Sequence, residues 1–254
     1  AVVDRVAWRG YVVGVDLSIG DGVHGAVSIR PDEARVERYR KEVEQRQGHI
    51  AELEIFRDLS AQTADGLPIQ LLANIEFPHE VSACLDRGAN GIGLYRTEFL
   101  YLGSDIEPTE EDHFEAYREV VLAMGDRPVV IRTLDLGADK MGHLPRTADE
   151  HNPFLGLRSI RLSLRNVDLF RTQLRAILRA SALGRVEILF PLISTLKELR
   201  QAKLFLRETM EDLDESGIAF DRNVPVGMMV EVPAAVLMID HFIKEVDFIS
   251  VGTN

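Results

Sequence analysis

Four polar side chains stand where apolar runs of this chain end. Gly91–Leu100 (Gly-Ile-Gly-Leu-Tyr-Arg-Thr-Glu-Phe-Leu) runs from small and apolar residues into Arg96, with Thr97 and Glu98 directly behind it. Val129–Asp135 (Val-Val-Ile-Arg-Thr-Leu-Asp) delivers Arg132 in the same way, Val226–Val232 delivers Glu231, and Asp247–Asn254 delivers Asn254. Continuous apolar runs are the mark of strands buried on both faces, as in parallel sheets. Chemistry in such folds sits where the strands end. A guanidinium fixed there is a planar, permanently charged fork suited to phosphate or carboxylate. Two arginines, a carboxylate and an amide at successive strand ends predict a site for a small, strongly anionic, metal-assisted substrate.

Each residue also has a plainer reading. Arg96 and Arg132 could be structural arginines paired with Glu98 or Asp135, since perturbed charges serve structure as well as function. A single Glu231 is weak ground for a metal, because magnesium takes hard oxygen ligands but a glutamate more often makes an ion pair. Asp135, Asp139 and Lys140 read as a salt-bridged loop that positions Arg132. Cys84 sits on a helical stretch away from any motif and reads as packing, and no histidine stands in a metal-ligand spacing.

The elements that must carry these residues alternate. Residues 1–30 read as strand material with a turn at Gly20-Asp-Gly22, and two strands alone are marginal in water. Pro31-Asp-Glu33 opens a charged helix to about Leu59, with one narrow apolar seam (Val36, Tyr39, Val43, Ile50, Leu53) and a bend or break at Gly48. From Leu71 onward strands and helices take turns: Leu71–Ile75, a helix over Pro78–Arg87, the Arg96 strand, and a helix through Met124 capped by Thr109. The Arg132 strand follows, then helical stretches at Arg158–Leu164 and Leu169–Leu183 and the strand Val186–Phe190. A helix from Leu196, the Glu231 strand, a helix over Ala234–Ile243 and the last strand complete the series. Such alternation implies parallel strands with right-handed crossovers. Both a doubly wound sheet and a barrel satisfy that, and carboxyl-end arginines on several strands favour the barrel.

Totals narrow the function. A net charge of −12 argues against a nucleic-acid binder, whose affinity would rest on clustered Lys and Arg. The single cysteine excludes an internal disulfide framework and fits a reducing compartment. No apolar run is long enough to span a bilayer, so no membrane role is expected and a cytoplasmic location is the default.

The same segments carry a resemblance. Gly91–Leu100 resembles the signature of the phosphoenolpyruvate-utilising enzymes, and its Thr-Glu-Phe-Leu ending is most similar to the Enzyme I branch. The likeness continues in order and spacing through Arg132–Lys140, Asn152–Arg158, Phe190–Ile193, Val230–Ala235 and Ser250–Asn254. It implies an α/β fold: a (β/α)8 TIM-type barrel over residues 68–254, incomplete in this chain. A helical linker (31–67) and a short β remnant of a phosphohistidine domain (1–30) would precede it. It carries Arg96, Arg132 and Asn254 to phosphoenolpyruvate contact, Arg158 to a secondary contact, and Glu231 to Mg2+. The acceptor histidine is expected elsewhere, because His24 lacks the loop context of that family and reads as structural. The implied reaction passes a phosphoryl group from phosphoenolpyruvate to a protein histidine, releases pyruvate, and then serves a small phosphocarrier protein of sugar uptake. A homodimer through the barrel is expected. A dikinase or phosphoenolpyruvate synthase relative, and a non-catalytic regulatory ligand-binding fragment, are the competing readings.

Overall fold

The structure is a computed structural model that describes residues 2–8, 11–21, 26–101, 107–137 and 156–252. It divides into two compact units, Ala1–Leu59 and Ser60–Asn254. His24, Asp139, Lys140, Asn152 and Asn254 lie outside the described residues.

In the first unit β1 (Val2–Trp8), β2 (Tyr11–Asp21) and β3 (Ala26–Ile29) form an antiparallel sheet in that order. A third strand joins the expected pair. Helix α1 (Glu33–Glu54) starts where Asp32 accepts the Arg35 amide at 2.7 Å, and it runs through Gly48 without interruption. It stops earlier than expected, before the exposed Ile55, Phe56 and Leu59. Val43 and Leu53 of the apolar seam are exposed, which suits a solvated helix.

The second unit is an α/β half-barrel around a curled parallel sheet of six strands. These are β4 (Leu72–Ile75), β5 (Gly91–Tyr95), β6 (Val129–Arg132), β7 (Val186–Phe190), β8 (Val226–Val230) and β9 (Phe248–Val251). Every neighbouring pair is parallel and the spatial order equals the chain order. A doubly wound sheet reverses its order at a switch point; this sheet does not. The barrel alternative therefore holds, as an incomplete TIM-type barrel.

Side chains alternate cleanly between the two faces. Val129 and Ile131, Ile188 and Phe190, and Met228 and Val230 enter the large core under the helices. Val130, Leu189 and Met229 form a separate cluster with Leu94 and Phe248 on the opposite face. Gly227 is required there, since a Cβ would meet the Phe248 ring at 2.4 Å.

The helical layer comprises α2 (Val81–Asp86), α3 (Glu110–Met124), α4 (Ser159–Arg165), α5 (Val167–Ser181), α6 (Leu196–Glu215), α7 (Pro233–Leu237) and α8 (Ile239–Phe242). Thr109 and Asp112 close a capping box on α3, as do Thr195 and Glu198 on α6. The stretch expected as one helix after Glu231 breaks at Met238, whose backbone (φ −107°, ψ 11°) leaves the helical region. Pro78–Glu80 forms a short 3-10 turn ahead of α2. Arg175 and Arg179 of α5 grip Glu110 of α3, each at 2.7 Å, which fixes α3 beside α5. No described helix is long and apolar enough to cross a membrane.

Between α3 and α5 lies a buried polar chain. His113 is fully buried, with Nδ1 2.9 Å from the Tyr117 hydroxyl and Nε2 3.0 Å from the Tyr101 hydroxyl. Burial pushes its pKa down from 6.5 to about 4, against a small opposing pull from Asp112. The folded protein thus keeps His113 neutral where the unfolded chain takes up a proton, so stability falls as pH falls from 6.5 toward about 4. His113→Gln should flatten that part of the profile, worth on the order of 2 kcal/mol at pH near 5. Urea denaturation of both proteins at neutral and mildly acid pH measures it; parallel profiles would contradict the assignment.

Candidate functional site

All six strands of the barrel sheet run the same way, so the residues following β4, β5, β6 and β8 share one edge of the sheet. Arg96 follows β5, Arg132 ends β6, and Glu231 follows β8. The two arginines expected from the sequence are on that edge together.

Arg132 is the better anchored. Its side chain is only 10% exposed, and carboxylates flank it on two sides. Nη2 donates to Glu98 Oε1 at 2.9 Å, and Nη1 lies 3.0 Å from Asp135 Oδ2. The other Asp135 oxygen accepts from Arg158 Nη2 at 3.1 Å. Glu98 Oε1 also accepts the Asp135 amide at 3.1 Å. Glu98, Arg132, Asp135 and Arg158 therefore form one charge-alternating chain. The structural-arginine reading is thus correct as far as it goes: both candidate partners are engaged. It leaves Nε of Arg132, which is buried without an acceptor among the described residues. A buried donor left unpaired costs about 1–3 kcal/mol and calls for an explanation.

Arg96 is arranged differently. Its backbone N–H extends the strand pairing to the Ile75 carbonyl at 2.9 Å. Its guanidinium bonds Glu76 Oε1 at 2.7 Å, with both side chains about half exposed. The sequence offered Glu98 or Asp135 as acidic partners for the arginines; for Arg96 the segment after the neighbouring strand supplies Glu76 instead. Arg158 reaches the cluster because Gly137 and Arg158 form an isolated bridge and the Ser159 amide donates to the Leu136 carbonyl at 2.9 Å.

Glu231 is half-buried, and Oε1 accepts the Leu192 amide at 2.7 Å. Burial raises its pKa; the Leu192 bond opposes this, Asp135 adds to it, and Arg132 and Arg158 pull it down. Glu231 thus feels the charges of the arginine cluster without an ion pair to either arginine. A carboxylate held short of full charge compensation suits a hard cation, which often takes only one or two carboxylates from the protein. Among the described residues no group of three or more His, Cys, Asp or Glu could hold a metal ion. Gly252 lets the next strand pass close: a Cβ there would lie 2.8 Å from Glu231 Cβ. Cys84 is partly buried, packs against the main core, and takes no part in the site.

Two backbone positions beside these groups are strained. Ser159 and Leu192 have φ of 56° and 54°, a left-handed conformation that non-glycine residues rarely adopt. Sequence reasoning missed both, along with Glu76 and Gln173. Glu76 had a signal, since it directly follows the apolar strand Leu72–Ile75. Gln173 had one too, as an amide inside the apolar stripe Leu169, Phe170, Leu174 and Ile177.

Fold and edge together define a barrel-type α/β segment whose strand ends carry clustered guanidinium groups. Comparison with known proteins makes this specific. The model of the PEP-utilising enzyme, PEP-binding domain, matches residues 50–254, and the chain belongs to this family of phosphoenolpyruvate-utilising enzymes. A phosphoenolpyruvate-protein phosphotransferase of Staphylococcus aureus is 47% identical over 239 residues, which cover 94% of this chain and 42% of the relative. A protein of the same name from Geobacillus stearothermophilus is 48% identical over 239 residues, covering 94% of this chain and 41% of that relative. The chain spans less than half the length of both.

Asp135→Asn tests the charge chain. It leaves two largely buried guanidinium groups with one anion fewer, which should cost about 3 kcal/mol. Urea denaturation should show that loss, partly reversed by millimolar inorganic phosphate. An equally stable variant would mean that Asp135 is dispensable to the cluster.

Proposed function

We propose that this chain supplies the phosphoenolpyruvate pocket of a phosphoenolpyruvate-protein phosphotransferase, in which Arg132 holds and neutralises the phosphoryl group. The observation that carries the reading is the buried Arg132 Nε without an acceptor among the described residues, on a guanidinium already aimed by Glu98 and Asp135. An anion at the strand ends would complete it. Arg96, half exposed and held by Glu76, would meet the substrate from the neighbouring strand, and Arg158 would lend charge through Asp135. Asn254, following β9, would add an amide contact. The activity for which both relatives are named supports transfer to a protein over the dikinase and regulatory readings.

Phosphoryl transfer asks a protein chiefly for positioning and charge neutralisation. The carboxylates beside Arg132 fix its fork before substrate arrives, so little reorganisation is left for the reacting complex. Glu231 would hold Mg2+, which supplies positive charge to phosphate and carboxylate oxygens when bound. The acceptor is a histidine outside the barrel unit, and pyruvate leaves. A small phosphocarrier protein of sugar uptake receives the group next. Residues 1–30 would be the end of a phosphohistidine domain, 31–67 a linker and 68–254 the pocket domain. The protein would act in the cytoplasm as a homodimer.

Arg132→Lys in the complete protein tests the main claim. Lysine keeps the charge and loses the planar fork. Pyruvate release should fall on the order of 100-fold, with apparent substrate affinity weakening less and the melting temperature lowered because one carboxylate loses its partner, though the variant still folds. A folded variant with parental turnover and affinity would return Arg132 to structure alone.

Glu231→Gln tests the metal. The raised pKa means that the folded state disfavours the charged carboxylate, a penalty present at neutral pH and lost below the ordinary glutamate range. The amide keeps the Leu192 bond and removes that penalty. The variant should therefore melt at or above the parental temperature at neutral pH, yet lack the paramagnetic broadening by Mn2+ that the parent should show. Unchanged Mn2+ binding would place the metal elsewhere.

A further inference from the structure

Gln173 touches none of the arginine guanidinium groups, yet both carboxylates that aim Arg132 hang from its amide. It lies on α5, fully buried, in a stripe of apolar residues. Oε1 accepts the Leu134 amide at 2.9 Å, and Nε2 donates to Thr97 Oγ1 at 3.0 Å. A backbone N–H can only donate, which fixes which end of the side-chain amide is oxygen. The Thr97 hydroxyl in turn donates to the Arg132 carbonyl at 3.1 Å. Leu134 immediately precedes Asp135, and Thr97 immediately precedes Glu98. One planar group thus spans the segments after β5 and β6 that carry the two acids on either side of Arg132.

We propose that Gln173 is a positioning residue for the pocket: it sets the spacing of Glu98 and Asp135 and, through Thr97, the main chain of Arg132. The inference rests on the phosphoenolpyruvate reading for its kinetic consequence. No other side chain of this size does the work. The position needs an acceptor toward Leu134 and a donor toward Thr97 on one rigid frame, neutral because it is buried. Methionine would fill the volume and leave the Leu134 amide orphaned. Glutamate would keep the acceptor and lose the amide donor. A displacement at the main chain of residues 97 or 134 is carried outward to the guanidinium. Misplacement of reacting groups by about 1 Å can cost on the order of 100-fold in rate.

A merely structural role would look different. The same Nε2 is 3.1 Å from the Tyr117 hydroxyl, which is equally deep and interacts with His113 and Thr97 but makes no bond to the Leu134 amide or to either carboxylate. Tyr117→Phe therefore serves as the comparison. Pyruvate release from phosphoenolpyruvate would be measured in the complete protein, with thermal melts, for Gln173→Met, Gln173→Glu and Tyr117→Phe. The Nε–H resonance of Arg132, assigned by its loss in Arg132→Lys, would be followed in the 254-residue chain. Gln173→Met should lower kcat by about 10- to 100-fold with KM changed only a few-fold, by analogy with supports of metal ligands. Both Gln173 variants should shift the Arg132 resonance. Tyr117→Phe should lower the melting temperature and move kcat and the resonance far less than the Gln173 variants do. A folded Gln173→Met with parental kcat and an unmoved resonance would overturn the proposal. So would a Tyr117→Phe that moves both as far as the Gln173 variants do. Should Gln173→Met fail to fold, Gln173→Glu decides by the same two readouts. A parental protein that releases no pyruvate would sink the phosphoenolpyruvate reading alone, and the resonance would still decide the role of Gln173.

Discussion

A guanidinium withdrawn from water must be given back its counter-charge by the fold, and this edge of the barrel is organised around doing so for Arg132. Two carboxylates reach it from two different segments, Glu98 after β5 and Asp135 after β6 itself. Asp135 then shares its second oxygen with Arg158. Asp135 is not spare, because removing it would leave the Arg132 and Arg158 charges facing each other at low dielectric. The consequence is a fork whose direction is settled in advance, which is what a site for a small anion requires. Arg96, with Glu76 in the solvent beside it, is under no such constraint.

Placing acids and bases to such tolerance on loops demands a stiff support, and the parallel sheet provides one. Strands β6, β7 and β8 pair without a register shift, and their helix-facing side chains lock into a single large core. The ion pairs from Glu110 to Arg175 and Arg179 hold α3 against α5, and between those helices runs the polar chain that joins His113 to Thr97. Buried polar networks of this kind are favourable only when every member is satisfied. The helix layer and the strand-end chemistry are therefore parts of one hydrogen-bonded system.

Much of this was legible in the sequence. Apolar strands reveal themselves by composition, so Val186–Phe190 was placed to the residue, and Arg132 and Glu231 were recognised at strand ends. The cap at Thr109 announced itself by residue type. Pairings across the chain were harder. Glu76 and Arg96 are twenty positions apart and meet only because β4 and β5 are neighbours. Gln173 and Thr97 are separated by 76 positions, and a buried amide looks like any other polar residue until its partners are known. Backbone strain at Ser159 and Leu192 has no compositional mark, since neither is glycine. Whether strand alternation meant an open sheet or a barrel depended on spatial order, which no local pattern encodes.

The left-handed turns at Ser159 and Leu192 store strain at the rim of the barrel. Each holds a backbone unit about 1–2 kcal/mol above its relaxed form. Each also donates one hydrogen bond that matters at the rim, Leu192 to Glu231 and Ser159 to the Leu136 carbonyl. The rim is thus preloaded, while Ile131, Ile188 and Phe190 beneath it sit fully enclosed. Both strained residues are themselves buried, so the packing around them is what keeps the rim in its loaded shape.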